Sequence, residues 1–98
     1  MYFRSTALDE VYERVKKMEG VRMVSASELN EGYTGDFPIL CGDGFRLYEY
    51  GGYFVFDYRM QKGNWILGQR KGKWSHSHPQ DVEEAVRWIK EYIEGTFR

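Results

Sequence analysis

Residues 45–58 read FRLYEYGGYFVFDY, two aromatic-rich runs joined by a pair of glycines, and this stretch decides the fold. Aromatic and β-branched residues favour extended structure, and a two-glycine connection is typical of a tight β-hairpin. Such a turn fixes which residues lie opposite each other across the two strands. The predicted cross-strand pairs are Tyr50 with Tyr53, Tyr48 with Val55, and Arg46 with Asp57.

The two faces of this hairpin differ in polarity, because successive side chains of a strand point to opposite sides. The apolar face is predicted to form the core and carries Phe45, Leu47, Phe54, Phe56, Tyr58 and Met60. The other face is predicted to stay open, with Asp57 as its only acid in the hairpin. It would carry Arg46, Tyr48, Tyr50, Tyr53, Val55, Arg59, Ile66, Arg70 and Lys73.

Turn signals continue on both sides of the hairpin, at Asp43-Gly44, Lys62-Gly63 and Lys71-Gly72. They predict strands at 21–26, 37–42, 45–50, 53–60, 65–70 and 73–77, with a long loop at 28–36. Sequential order of the strands is assumed. Carrying the register through the last two turns places Trp65, Leu67, Trp74 and His76 on the core face, and every added turn increases the risk of a one-residue slip.

Helices are predicted at both ends, over 6–19 and from about 79 to 94, because apolar residues recur there at helical spacing. Thr6 is the predicted N-cap of the first helix, Ser77 or His78 that of the second, and Gly95 the stop. Each apolar stripe can be buried only against the apolar face of the sheet. The prediction is one α+β domain spanning 1–98, a two-layer sandwich. An antiparallel five- to six-stranded β-meander has the N- and C-terminal helices packed on one face.

The order helix, antiparallel strands, helix resembles the frataxin topology. The resemblance covers element order alone, since the tryptophan-centred surface motif of that family is absent before the hairpin. It therefore implies a fold and no function.

Composition excludes several classes of protein. The chain has 98 residues, a net charge of −1 and one cysteine, Cys41. This size supports a core without a metal or disulfide, and the charge gives no general attraction to nucleic acid or anionic membranes. No apolar run approaches the roughly 20 residues of a membrane span. We expect a cytoplasmic protein with no cofactor and no membrane partner.

The leading functional hypothesis is a non-enzymatic binding module that uses the open sheet face. Its predicted binding residues are Arg46, Tyr48, Tyr50, Tyr53, Arg59, Arg70 and Lys73. Tyrosine and arginine are favoured in protein–protein hot spots, so the face predicts a protein partner or, most simply, a homodimer. The plainer alternative is a solvated face whose tyrosine pairs only stabilise the sheet.

The same residues allow a second hypothesis, binding of single-stranded nucleic acid. Aromatic rings stack on bases while cations contact phosphates. The segment from Arg59 to Lys73 adds Lys62 and Lys71 without a single acid. Lysines at strand ends also protect sheet edges from pairing, which explains such a run without a ligand.

An enzyme is the third and least supported hypothesis. His76 and His78 are two residues apart and point the same way on a strand, and Cys41 is a potential nucleophile that would need one of them as a base. Two histidines are too few ligands for a metal site, so we predict neither a metal nor a catalytic residue. The simpler interpretation is a half-buried His76, a capping His78 and an apolar Cys41 before a turn.

Overall fold

A computed structural model describes residues 6–59 and 74–96. Five strands form one antiparallel sheet in sequential order, which confirms the predicted α+β meander. Among the described residues, no helix is long and apolar enough to cross a bilayer. The elements are α1 (Thr6–Val15), β1 (Arg22–Ser25), α2 (Ala26–Leu29), β2 (Pro38–Gly42), β3 (Phe45–Tyr50), β4 (Tyr53–Arg59), β5 (Trp74–Ser77) and α3 (Val82–Glu94).

The β3–β4 hairpin has the predicted register. Tyr50 pairs with Tyr53, and the ladder continues without a bulge to Phe45 opposite Tyr58. Gly51 and Gly52 both have positive φ angles, 63° and 89°. A two-residue turn of type I′ requires positive φ at both positions, and glycine adopts it without steric cost.

The core lies between one face of the sheet and the two long helices. Phe45, Leu47, Phe54 and Phe56 are buried there, as the hairpin pattern predicted. They pack in one cluster with the apolar stripes of α1 and α3. The N- and C-terminal helices therefore cover the same face. Their buried residues are Leu8, Val11, Val15, Ala85, Val86, Ile89 and Tyr92.

The final helix starts later than predicted. It begins at Val82, and its N-cap is Asp81, whose carboxylate accepts a hydrogen bond of 2.8 Å from the Glu84 N–H. The prediction of Ser77 or His78 as the cap was wrong, because Ser77 still belongs to β5. The predicted stop at Gly95 is confirmed by its left-handed φ of 83°.

The strand next to β4 is also different from the prediction. β5 pairs directly with β4, and His76 lies opposite Asp57. We expected a strand at 65–70 to lie between these two strands, and the direct pairing of β5 with residues 56–59 shows that this expectation was wrong. Residues 65–70 themselves lie outside the described residues. Cross-strand partners share a face, so His76 points away from the core helices and its predicted core position was wrong.

The second face of the sheet is partly covered rather than open. Residues 26–37, called here the cover segment, comprise α2 and the chain that leads to β2. Ala26, Leu29, Tyr33 and Phe37 form a small apolar cluster with the sheet residues Val24, Ile39, Cys41 and Tyr48. A short helical turn and a few aromatic side chains thus make a partial third layer opposite α1 and α3.

Candidate functional site

A row of five side chains crosses the second face, one from each strand. The register places Arg22, Cys41, Arg46, Asp57 and His76 side by side in that order. Asp57 is the only carboxylate in this row and is itself buried. The polar centre of the face is therefore built around it.

Asp57 accepts hydrogen bonds from three side chains. The hydroxyl of Tyr48 lies 3.0 Å from Oδ2, and that of Tyr33 lies 3.5 Å from the same oxygen. His76 Nδ1 lies 2.5 Å from Oδ1. A carboxylate only accepts, so His76 donates this hydrogen bond from Nδ1. This network ties the cover segment, β3, β4 and β5 together.

The two tyrosine hydroxyls in this network are held in their protonated form. Burial raises the pKa of Tyr33 and of Tyr48 well above the ordinary tyrosine value, and the negative charge of Asp57 raises both further. A phenol that resists ionisation is a hydrogen-bond donor at neutral pH, not a base or a nucleophile. The network therefore serves to hold Asp57 in place.

Cys41 and the histidines are not brought together. Three strand spacings separate Cys41 from His76 in the row, roughly 14 Å at about 4.8 Å per strand. Cys41 is buried beneath the cover segment, and that burial raises the pKa of its thiol. Within the described residues no group of three or more His, Cys, Asp or Glu side chains could hold a metal. Within the described part of the chain, Cys41 therefore has no histidine beside it to act as the base that the enzyme hypothesis requires.

The two described arginines among the predicted binding residues are engaged inside the molecule. Arg46 forms a two-pronged ion pair with Glu31, with Nη2 2.9 Å and Nε 3.2 Å from the carboxylate oxygens. Its Nη1 donates to the carbonyls of Gly42 and Phe45. Arg59 is 1% exposed, and its Nη2 lies 3.3 Å from Oδ1 of Asp43. Arg70 and Lys73 lie outside the described residues.

Tyr50 and Tyr53 remain exposed, as predicted for binding residues. Their relative exposures are 66% and 52%, and they are the exposed large hydrophobic residues among the side chains whose burial the structure describes. The ring of Tyr53 meets that of His78 edge to face, at 5.2 Å between centroids. Tyr50, Tyr53 and His78 are called the aromatic corner below. Tyr48, by contrast, packs its ring against Tyr33 and Phe37 under the cover segment.

A groove of about 470 Å³ lies beside the aromatic corner. It runs between the β3–β4 turn and the chain that enters α3. This volume falls in the lower part of the roughly 300–1,000 Å³ range of ligand pockets. Its described lining combines apolar walls with two carboxylates and contains no lysine or arginine. The residues are Ala7, Glu49, Gly52, Tyr53, Phe54, His78, Pro79, Gln80, Asp81 and Val82.

No known family model matches the chain, and no curated protein or solved structure gives a significant match. The frataxin-like element order thus gains no support from these comparisons. The function of the protein is therefore inferred from its surface geometry.

Sequence reasoning did not identify the cover segment that lies on the second face, nor the carboxylates that line the groove. A signal for the cover segment was present, because Leu29, Tyr33 and Phe37 recur every four residues from the predicted loop at 28–36 to the first residue of the strand predicted at 37–42. Glu49 and Asp81 carried no such signal. They line the same groove only because the hairpin turn and the start of α3 meet in space.

Proposed function

We propose that this protein is a non-enzymatic binding module that engages a segment of a protein partner through the aromatic corner. The observation that carries the proposal is the joint exposure of Tyr50 and Tyr53, a cross-strand pair beside a groove. Tyrosine rings supply a large contact area at a small cost in side-chain entropy. They are enriched among the few residues that dominate binding energy.

A partner segment fits this surface better than a second folded copy of the chain. A buried aromatic side chain contributes about 150–250 Å², so two half-exposed tyrosines present at most about 300 Å². Each partner in a stable interface between folded proteins buries about 800 Å². The groove extends the corner in one direction, which suits a short extended segment. Homodimerisation is thus the less supported version of the same proposal.

Binding of nucleic acid receives less support from the described residues. That hypothesis uses Arg46 and Arg59 as phosphate contacts, and both guanidinium groups are buried against carboxylates. Releasing Arg46 is costly, because the buried carboxylate of Glu31 is left unpaired. Arg59 is 1% exposed, so its guanidinium is not accessible to a phosphate on the surface. The groove beside the exposed tyrosines carries carboxylates, which repel a phosphate backbone.

Site-specific photo-crosslinking tests the proposal in the cells that make the protein. A photoreactive benzoylphenylalanine replaces Tyr53 in one variant and Lys17 in the other, where Lys17 is an exposed residue beyond α1. We expect a discrete protein adduct from position 53 and none from position 17. The Tyr50→Ser substitution should reduce the yield at position 53.

The other outcomes separate the rival functions. An adduct of twice the chain mass would favour the homodimer, and an adduct that nuclease removes would favour nucleic acid. Identical patterns from both positions, or no adduct at position 53, would contradict binding through the aromatic corner. The adduct identifies the partner by mass spectrometry, and its purified form then serves for affinity measurements.

A further inference from the structure

Two carboxylates face the groove beside the aromatic corner. Glu49 lies near the end of β3, is partly buried, and has no hydrogen bond or ion pair within the described part of the chain. Asp81 uses Oδ1 to cap α3 and is exposed. Because a carboxylate has two oxygens with several acceptor sites, Asp81 retains acceptor capacity beyond the cap.

His78 adds an aromatic ring to the same wall. Its Nδ1 lies 3.1 Å from the carbonyl oxygen of Phe54. A carbonyl oxygen only accepts, so Nδ1 donates this hydrogen bond and holds the ring in place. The ring is exposed, and its contact with Tyr53 places an aromatic surface next to the two carboxylates.

Among the described lining residues, no lysine or arginine opposes the carboxylates of Glu49 and Asp81. Arg14, the basic residue of α1, is bound to Glu83, with 2.8 Å between Nη1 and Oε1. The N–H groups at the start of α3 form a positive helix end, and the Asp81 carboxylate already accepts from one of them, the Glu84 N–H. The Gln80 N–H, just before the cap, donates to the Glu84 carboxylate.

From this arrangement, and resting on the proposed function, we infer that the groove takes an arginine side chain of the partner segment. A guanidinium is planar, always charged and carries five N–H donors, and it stacks on aromatic rings. The groove offers acceptors on opposite walls and a tyrosine ring beside them. A lysine ammonium has the same charge but neither the plane nor the donor fork.

Amide chemical shifts of the protein measured by NMR test this inference. The probe is the capped tripeptide acetyl-Ala-Arg-Ala-amide, and its matched control contains citrulline, a neutral urea of nearly the same shape. We expect saturable shifts at Gly52, Phe54, Gln80 and Val82 with the arginine peptide. The citrulline peptide should bind about tenfold more weakly, since it lacks the charge.

Two variants remove one carboxylate each and keep the fold. Glu49→Gln is nearly isosteric, and Asp81→Ser keeps a good N-cap. Each should weaken the arginine peptide about threefold to tenfold. The control is Glu94→Gln, which makes the same change in net charge at the far end of α3 and should leave affinity unchanged.

Equal affinity for the arginine and citrulline peptides would overturn the inference, as would unchanged affinity in both groove variants. Equal affinity for a lysine peptide would overturn the choice of guanidinium. An absence of shifts with any peptide would overturn it as well. The proposed function is decided separately, because crosslinking from position 53 does not depend on which side chain enters the groove.

Discussion

At the scale of single residues, Asp57 organises the second face of the sheet. Its carboxylate is buried and receives hydrogen bonds from Tyr33, Tyr48 and His76. The sequence placed Asp57 on the face predicted to stay open, so its burial was not foreseen. Nor could the sequence show which donors reach the carboxylate, because Tyr33 comes from a predicted loop and His76 depends on a register carried across two turns.

Replacing Asp57 by asparagine should destabilise the protein by about 1–3 kcal/mol, the usual cost of leaving buried donors without an acceptor. An amide has one acceptor oxygen where the carboxylate has two. Urea denaturation followed by circular dichroism measures the change. Glu19→Gln, an exposed site, should stay within about 0.5 kcal/mol of the wild type. Equal stability of Asp57→Asn and wild type would show that the network is dispensable.

The same network predicts sensitivity to alkali. Burial raises the pKa of Tyr33 and Tyr48 in the folded state, whereas unfolded tyrosines ionise near pH 10. The unfolded state therefore loses these protons first, and stability falls as the pH rises above about 10. The contribution of the two protonated tyrosines to stability is fully present below about pH 10.

The Tyr48→Phe variant should show a shallower loss of stability between about pH 10 and 12, since it has one such group fewer. Tyr50→Phe, at an exposed ring, is the matched control and should keep the wild-type slope. Thermal unfolding at a series of pH values gives both slopes. A Tyr48→Phe slope equal to that of wild type would contradict the assignment.

At the scale of elements, the β3–β4 hairpin was predictable residue by residue, because two adjacent glycines fix the turn and the turn fixes the register. The position of β5 was not. The intervening turn signals led to a strand at 65–70 as its neighbour, whereas β5 pairs with β4 itself. The partial cover of the second face was not predicted either, since the four residues of α2 are too few to show the spacing of apolar residues that is typical of a helix.

The β2–β3 turn is predicted to be more sensitive to added bulk than the β3–β4 turn. Gly44 and Gly52 have nearly the same positive φ, 87° and 89°. A Cβ at Gly44 would lie 2.5 Å from the Tyr92 hydroxyl, whereas at Gly52 it would meet nothing within 4 Å. Both alanine variants bear the conformational cost of roughly 1–2 kcal/mol, and only Gly44→Ala adds a clash.

Urea denaturation should therefore rank Gly44→Ala below Gly52→Ala in free energy of unfolding, by at least about 1 kcal/mol. Equal losses would mean that Tyr92 moves aside without cost. The reverse order would contradict the packing of α3 against this turn.

At the scale of the whole molecule, most of the described residues of the predicted binding face are used internally. The cover segment packs on Tyr48, and Arg46 and Arg59 are held by acids of the same chain. The described binding residues that remain exposed are Tyr50 and Tyr53, beside an acidic groove. The sequence identified the tyrosines of the aromatic corner but predicted a much wider platform, because it could not show which charges pair within the fold.

Because the described residues expose so small an aromatic surface, we predict that the protein is a monomer on its own. Light scattering after gel filtration, at two salt concentrations, should give the mass of a single chain and no absorbance from nucleic acid. Arg46, Tyr48 and Arg59 of the wider face are engaged within the fold, and Arg70 and Lys73 lie outside the described residues. Nothing in the described part of the chain therefore supplies an extended dimer interface. A salt-independent dimer would favour self-association through the corner instead.

The measurement that tests the central claim most directly is a titration of the crosslinked partner, once purified, against three forms of the protein. These are the wild type, Tyr53→Ser and the matched surface variant Lys17→Ser. We predict that Tyr53→Ser weakens binding by at least about tenfold, as expected for an aromatic hot spot, while Lys17→Ser matches the wild type. Equal affinity of all three forms would contradict binding through the aromatic corner.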